Sequence, residues 1–238
     1  MVDLEEKMFT KRSDGRKFGE MRPMEAKVGV IKRADGSAMF KIGKTIAYAA
    51  VYGPRSLYPK FLQNKDRAVL RCNYNMIAFS GSGDRIRPGP NRRSKEISLI
   101  TEKALFPSID LKAYPGSVID VFIELVQTDS GTRCAGICAA AMALADAGFV
   151  MKDLVSAIAL GRVEDKIIVD ATKEEEDYPD GMADVPVAMM PRKGEITLLQ
   201  DDGFLTKEQL KEILELASKA CKEINKIQRE ALKEKYKE

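Results

Sequence analysis

Hydrophobic positions along the chain change period several times, and each change marks an element. Glu25 to Lys32 and Ser37 to Ile42 read as strands joined through the Ala34-Asp35-Gly36 turn signal, and Thr45 to Tyr52 continues as a third strand that Gly53-Pro54 should stop. From Ala68 to Met76 the residues Ala68, Leu70, Cys72, Tyr74 and Met76 share one parity, a fourth strand. A Gly/Pro/Ser loop follows from Phe79 to Pro90. Helical spacing then takes over from Arg92 to Leu105, where Ile97, Ile100 and Ala104 share a face. Ser117 to Gln127 returns to alternation, with Ile119, Val121, Ile123 and Leu125 on the buried parity, and Arg133 to Phe149 is an Ala-rich, Pro-free helix. Further strands are predicted near Ser156 to Val163, Lys166 to Asp170, Val185 to Met190 and Ile196 to Gln200. A long helix closes the chain: Thr206 and Gln209 form a capping-box pattern, and Leu210, Ile213, Leu214, Ala217, Ala220, Ile224 and Ile227 form one apolar stripe. Its charged last turns, Arg229 to Glu238, are expected to fray. Strand blocks each followed by helices predict an α+β chain of two β-α layers, residues 1–150 and 151–238, rather than a doubly wound parallel sheet.

Composition narrows the chemistry more than it narrows the fold. The 238 residues suffice for a substantial core, and 39 Lys and Arg against 36 Asp and Glu leave a net charge of only +3, so the placement of charge has to identify any partner. No apolar run reaches the ~18 residues of a membrane span. The start, Met-Val-Asp-Leu-Glu-Glu-Lys, is too acidic for a signal peptide, so a cytoplasmic location is expected and no membrane partner. Cys72, Cys134, Cys138 and Cys221 lack Cys-x-x-Cys spacing, and histidine is absent altogether. The spacing gives no signature of a zinc site of the usual kind, and Ser-His-Asp or Cys-His catalysis is excluded within the chain. Chemistry here must use carboxylates, Arg, Lys, a metal or an external nucleophile.

Four segments could supply it. Thr128-Asp-Ser-Gly-Thr-Arg133 lies between a strand and a helix, which would gather backbone N–H groups, the Thr132 hydroxyl and the Arg133 guanidinium at a helix N-terminus, a setting that favours phosphate. A plain Gly-containing connection with a solvated Arg accounts for the local sequence equally well. Arg85, Arg87, Arg92, Arg93 and Lys95 run from a loop into a helix start, where cations are a local cost that a phosphate ligand would remove. Glu174, Glu175, Glu176, Asp177, Asp180 and Asp184 form an acidic stretch that could hold a divalent ion, keep one member protonated, or simply form a mobile acidic loop. Tyr58 to Lys65 alternates aromatics with Lys60 and Lys65, a mixture suited to stacking and phosphate contact on a single strand. Two motifs fail. Gly43-Lys44-Thr45 resembles the end of a P-loop, yet Ala38 stands where glycine is required, and Gly81-Ser-Gly83 opens a dinucleotide fingerprint that Ile86 breaks.

Taken in order, Arg12-Ser-Asp-Gly-Arg16, Gly36-Ser-Ala38 with Gly43-Lys-Thr45, Tyr52-Gly-Pro-Arg55, Asn91-Arg-Arg93 with Glu96-Ile97, Asp129-Ser-Gly-Thr-Arg133, and Gly181-Met-Ala-Asp-Val-Pro186 with Ala188-Met-Met-Pro191 resemble the RNase PH family along almost the whole chain. The paired Arg92-Arg93 and Ala188-Met-Met-Pro191 are more similar to the exosome-type catalytic branch than to free bacterial enzymes. The resemblance implies two layered halves of the ribosomal protein S5 domain 2 kind, packed back to back. It also implies a 3′-to-5′ exoribonuclease degrading single-stranded RNA by phosphorolysis, with inorganic phosphate as co-substrate, Mg2+ as a candidate ion and tail addition as the reverse reaction. The expected partners are RNA, an RNase PH-like paralogue in a hexameric ring (a trimer of heterodimers) and RNA-binding cap proteins. The alternatives are a homohexameric tRNA 3′-trimming nucleotidyltransferase and a non-catalytic RNA-binding ring subunit. Carried over by position, Gly131, Thr132 and Arg133 bind phosphate, and Arg92 and Arg93 hold the RNA backbone, with Lys60 and Lys65 in the loop that grips entering RNA. Asp177 and Asp184 are the catalytic aspartates and candidate metal ligands. The family spaces that pair by six residues; Asp177 lies seven before Asp184, so an insertion is implied and Asp180 and Glu176 stand as substitutes.

Overall fold

The computed structural model describes residues 9–87, 89–178, 182–235 and 237. The first sheet has the strand order β1-β2-β3-β5-β4, built from β1 (Met24–Val28), β2 (Gly36–Ile42), β3 (Thr45–Ser56), β4 (Val69–Met76) and β5 (Ser117–Gln127). Only the β4–β5 pair is parallel, because α1 (Arg92–Leu105) crosses over between them. After α2 (Thr132–Asp146) the second sheet has the order β7-β6-β8-β9, all antiparallel, from β6 (Ser156–Val163), β7 (Lys166–Val169), β8 (Met182–Met190) and β9 (Glu195–Leu199). A single helical turn, α3 (Lys173–Glu176), precedes β8, and α4 (Lys207–Glu234) ends the chain. The architecture is α+β, with all strands of one sheet before residue 150 and all strands of the other after it.

The two sheets share a core through α2. Of its fifteen residues only Arg133 and Ala145 are not buried, since one side packs on β2, β3 and β5 and the other on β6 and β8. An all-round apolar helix is the expected solution for such a position, and its alanines let both layers approach closely. Cys134 and Cys138 are buried core residues on it, and Cys72 and Cys221 are likewise free and buried.

Three elements depart from the sequence pattern. β1 stops at Val28, where Gly29 takes φ 69° and turns the chain away. β3 does not stop at Gly53-Pro54: a register shift between Tyr52 and Arg55 absorbs the proline, and pairing with β5 resumes through Ser56. Nor does α4 fray from Arg229. Buried Gln228 donates to the Cys138 and Val155 carbonyls and accepts from Ser156, and Lys235 pairs at 2.6 Å with Asp146 on α2, so tertiary bonds hold the last turns. The Thr206/Gln209 capping box is present as the sequence predicts.

Candidate active site

The α2 N-terminus is formed by an unusual turn. Ser130 and Gly131 both adopt left-handed backbone, at φ 58° and 63°, and no side chain caps the helix. The first N–H groups of α2 therefore remain available to a ligand, at the positive end of the helix dipole. The turn is pinned from three directions. Thr45 donates to the Ser130 carbonyl and accepts from the Asp129 N–H, Thr128 bonds twice to the Ser80 carbonyl, and the Lys173 N–H donates to Asp129. Buried Arg22 completes the fixing: its guanidinium donates to the Asp129 carbonyl and to both oxygens of Asp170, which lies just after β7 in the second half. Gly43 makes room for that arginine, because a Cβ there would fall 2.4 Å from Arg22 Cδ.

This turn forms one wall of a cavity of about 340 Å³. Gly131, Thr132 and Arg133 line it, with Arg93 from the first turn of α1 and Asp184 from β8. Asn91 and Ser94 cap α1 reciprocally, offsetting the cost of placing Arg92, Arg93 and Lys95 in a first turn that contains no acid. Arg133 donates to Gln200 at 2.8 Å and lies 3.7 Å from Asp184, so the end of the second sheet braces it. Asp184 sits opposite Gly161 on β6, and its backbone is bridged in both directions to Asp202. One of its carboxylate oxygens is buried with no hydrogen-bond partner. Burial pushes its pKa up to about 6; Arg133 and Arg93 act against this, and the charges of Glu176 and Asp202 add to it.

Other positions fall elsewhere. Arg92 lies beside Arg93 on the exposed surface and does not line the cavity. Lys60 and Lys65 project from a loop in which Tyr58 and Phe61 are exposed and Leu57 is the buried anchor; none of them borders the cavity. Asp177 follows α3 and points outward. Its side chain is 63% exposed and paired at 2.7 Å with Lys173. Asp180 lies outside the described residues. Of the acids Glu174 to Asp177, Glu176 is the one that lines the cavity, accepting a 2.6 Å hydrogen bond from Ser130. The sequence missed two more contributors. Gly81, Ser82, Gly83 and Ile86, the broken fingerprint, line the cavity wall, and Thr45 of the failed P-loop pattern pins the turn from behind.

No group of three or more metal-binding side chains exists among the described residues. Mg2+ commonly takes only one or two carboxylates and completes its shell with water and phosphate oxygens. The orphaned Asp184 oxygen with Glu176 in the same cavity fits that requirement, whereas Asp177, neutralised by Lys173 outside it, does not. No helix among the described residues is long and apolar enough to cross a membrane.

Comparison with known proteins places this geometry. Residues 20–149 match domain 1 and residues 153–220 match domain 2 of the 3′ exoribonuclease family, RNase PH. The chain is 56% identical over 226 residues to a protein of Thermococcus kodakarensis named exosome complex component Rrp41, covering 95% of this chain and 90% of that one. The protein of the same name from Thermoplasma acidophilum is 46% identical over the same shares. Among solved structures, rice Rrp46 superposes with TM-score 0.81 at 25% identity, over 93% of this chain and 100% of the other. An Archaeoglobus fulgidus exosome chain, solved with RNA in the active site, shares the fold at TM-score 0.76 and 24% identity, over 96% and 93%. With both domain models matched in order and the cavity lying where they meet, the chain belongs to the RNase PH family of 3′ exoribonucleases.

Proposed function

We propose that this chain is the catalytic subunit of an exosome ring, degrading single-stranded RNA from its 3′ end by phosphorolysis. The observation that carries the reading is a single cavity joining an uncapped helix N-terminus, two arginines and one desolvated aspartate. Inorganic phosphate sits on the α2 N–H groups with Thr132 and Arg133, and Arg93 faces the terminal phosphodiester. Two anions would otherwise repel each other; the guanidinium groups offset that repulsion and hold the pair in line. A phosphate oxygen attacks the terminal phosphorus, the bond from phosphorus to the ribose 3′ oxygen breaks, and a nucleoside 5′-diphosphate leaves. The shortened RNA needs a proton on its new 3′ hydroxyl. Asp184, neutral over an unusually wide pH range for a carboxyl group, is placed to give it. A divalent ion, where bound, would be held by Asp184 and the neighbouring carboxylate and would supply positive charge to the phosphate oxygens. The attacking group is phosphate and not water, so the chemistry is group transfer rather than hydrolysis, and a chain without histidine is sufficient for it.

Arg92, Lys60 and Lys65 act upstream, along the RNA backbone outside the cavity. The relatives are named as components of an exosome complex, which supports work within an assembly; the assembly in this reading is a hexameric ring with a paralogue, bearing RNA-binding cap proteins, in the cytoplasm. An intact Asp184 in a formed cavity favours catalysis over a purely RNA-binding subunit. Thin-layer chromatography of the products tests the proposal. In the assembled enzyme, nucleoside diphosphates should form only when phosphate is supplied, and excess diphosphate should lengthen the RNA. Nucleoside monophosphates released equally fast with and without phosphate would overturn it.

A further inference from the structure

We propose that Glu176, and not Asp177, is the carboxylate that works beside Asp184 on the terminal phosphodiester. The inference rests on the phosphorolytic reading of the cavity and identifies the second acid of the same site. Adjacent residues on a helical turn point about 100° apart, so Glu175, Glu176 and Asp177 cannot face one direction. The clamp on Glu175 decides which of them enters the cavity. Its carboxylate is buried against Arg12, which donates from Nε at 2.8 Å and Nη2 at 2.7 Å, and it accepts from the Thr172 N–H at 2.9 Å. Arg12 also donates to the Val169 and Asp170 carbonyls, fixing α3 to the end of β7. With Glu175 held inward, Glu176 is turned towards the Ser130 hydroxyl and the cavity, and Asp177 is turned out to Lys173.

Glu176 remains equipped for substrate. Its side chain is 29% exposed, one oxygen accepts from Ser130, and the other has, among the described residues, the Lys173 ammonium at 3.6 Å. Ser130 belongs to the left-handed turn that presents the α2 N–H groups, so this single hydrogen bond fixes the acid relative to the phosphate site. Asp184, with its unpartnered oxygen, lines the same cavity from β8. The two carboxylates arrive from different elements and meet only in the cavity.

Glu176→Gln, Glu176→Asp, Asp177→Asn, Asp180→Asn and Asp184→Asn are made in the full chain and assayed in the assembled complex for turnover, RNA affinity and melting temperature. Glutamine keeps an oxygen that accepts from Ser130, so the fold is preserved and the charge alone is removed. Glu176→Gln should lose about 100-fold or more in turnover, matching Asp184→Asn, with RNA affinity and melting temperature near wild type. Glu176→Asp, which restores the carboxylate, should recover at least tenfold over Glu176→Gln, and Asp177→Asn and Asp180→Asn should each remain at least tenfold more active than it. A Glu176→Gln protein with more than a tenth of wild-type turnover overturns the assignment. So does an Asp177→Asn or Asp180→Asn protein as inactive as Asp184→Asn, or a Glu176→Asp protein no better than the glutamine variant. Loss of phosphate dependence in the wild type would instead remove the reading beneath it, and the product assay detects that separately.

Discussion

At Asp184 activity and stability oppose one another. A carboxyl whose folded pKa rises from 3.8 to about 6 binds its proton more tightly in the native state than in the unfolded chain. Stability therefore falls as pH rises from about 4 to about 6, and the full cost of the buried charge remains above that range. The side chain is only 25% exposed, so solvent screens little of the effect, and the shift corresponds to about 3 kcal/mol at most. Asp184→Asn should accordingly melt several degrees above wild type at pH 8, with the difference vanishing below about pH 4, while turnover falls ~100-fold. Thermal melts across that pH range check the sign. A variant less stable than wild type at pH 8 would show that the charged aspartate is well solvated or compensated by Arg133. Such residues lose stability by design of the site, as binding sites generally do.

At the scale of elements the first turn of α1 carries the same conflict. Arg92 and Arg93 stand at the positive end of a helix dipole, where each costs about 0.3–1 kcal/mol until a phosphate arrives. Replacing either by Ala should slightly raise the melting temperature of the RNA-free complex. Each should also lower the log-log salt slope of single-stranded RNA binding by about 0.7. Only Arg93→Ala should depress turnover on saturating RNA as well, since only Arg93 borders the cavity. Titrations at several salt concentrations decide this; equal turnover losses would place both at the reacting phosphate. The elements themselves were largely legible. α1, β5 and β6 occupy the ranges that their periodicity predicts, because each packs a regular face on a core. Pairing across sheets was not legible: Pro54 reads as a stop, yet β5 supplies partners beyond it, and the end of α4 looks solvated until Asp146 reaches Lys235. The site divides in the same way. A Gly-turn before a helix is a local signal, and it pointed to Arg133; Asp184, inside β8, was singled out from its acidic stretch only by the family resemblance. Which of the consecutive acids Glu174 to Asp177 faces inward depends on Arg12, 163 residues before Glu175, and no local pattern records it.

For the whole molecule the unfinished surfaces matter most. Phe122 stacks edge-on against Tyr52 on the outer face of the first sheet, and Ile196, Leu199 and Phe204 lie exposed along and beyond the edge strand β9. Exposed apolar groups of this size are common at sites of association. The chain alone should degrade RNA poorly and gain at least tenfold when its paralogue is added, with size-exclusion chromatography showing the larger species. A fully active ring of this chain alone would favour the homohexameric trimming enzyme. The cavity itself is a joint product of both halves: Arg93 and the 130–133 turn come from the first, Asp184 and Gln200 from the second, and Arg22 ties them through Asp170. An RNA-destroying enzyme is made on a ribosome, within reach of the message that encodes it. While the growing polypeptide stops short of residue 184 the cavity lacks its Asp184 wall, and until Gln200 follows, Arg133 has no brace. The site is therefore complete only once both halves have been made.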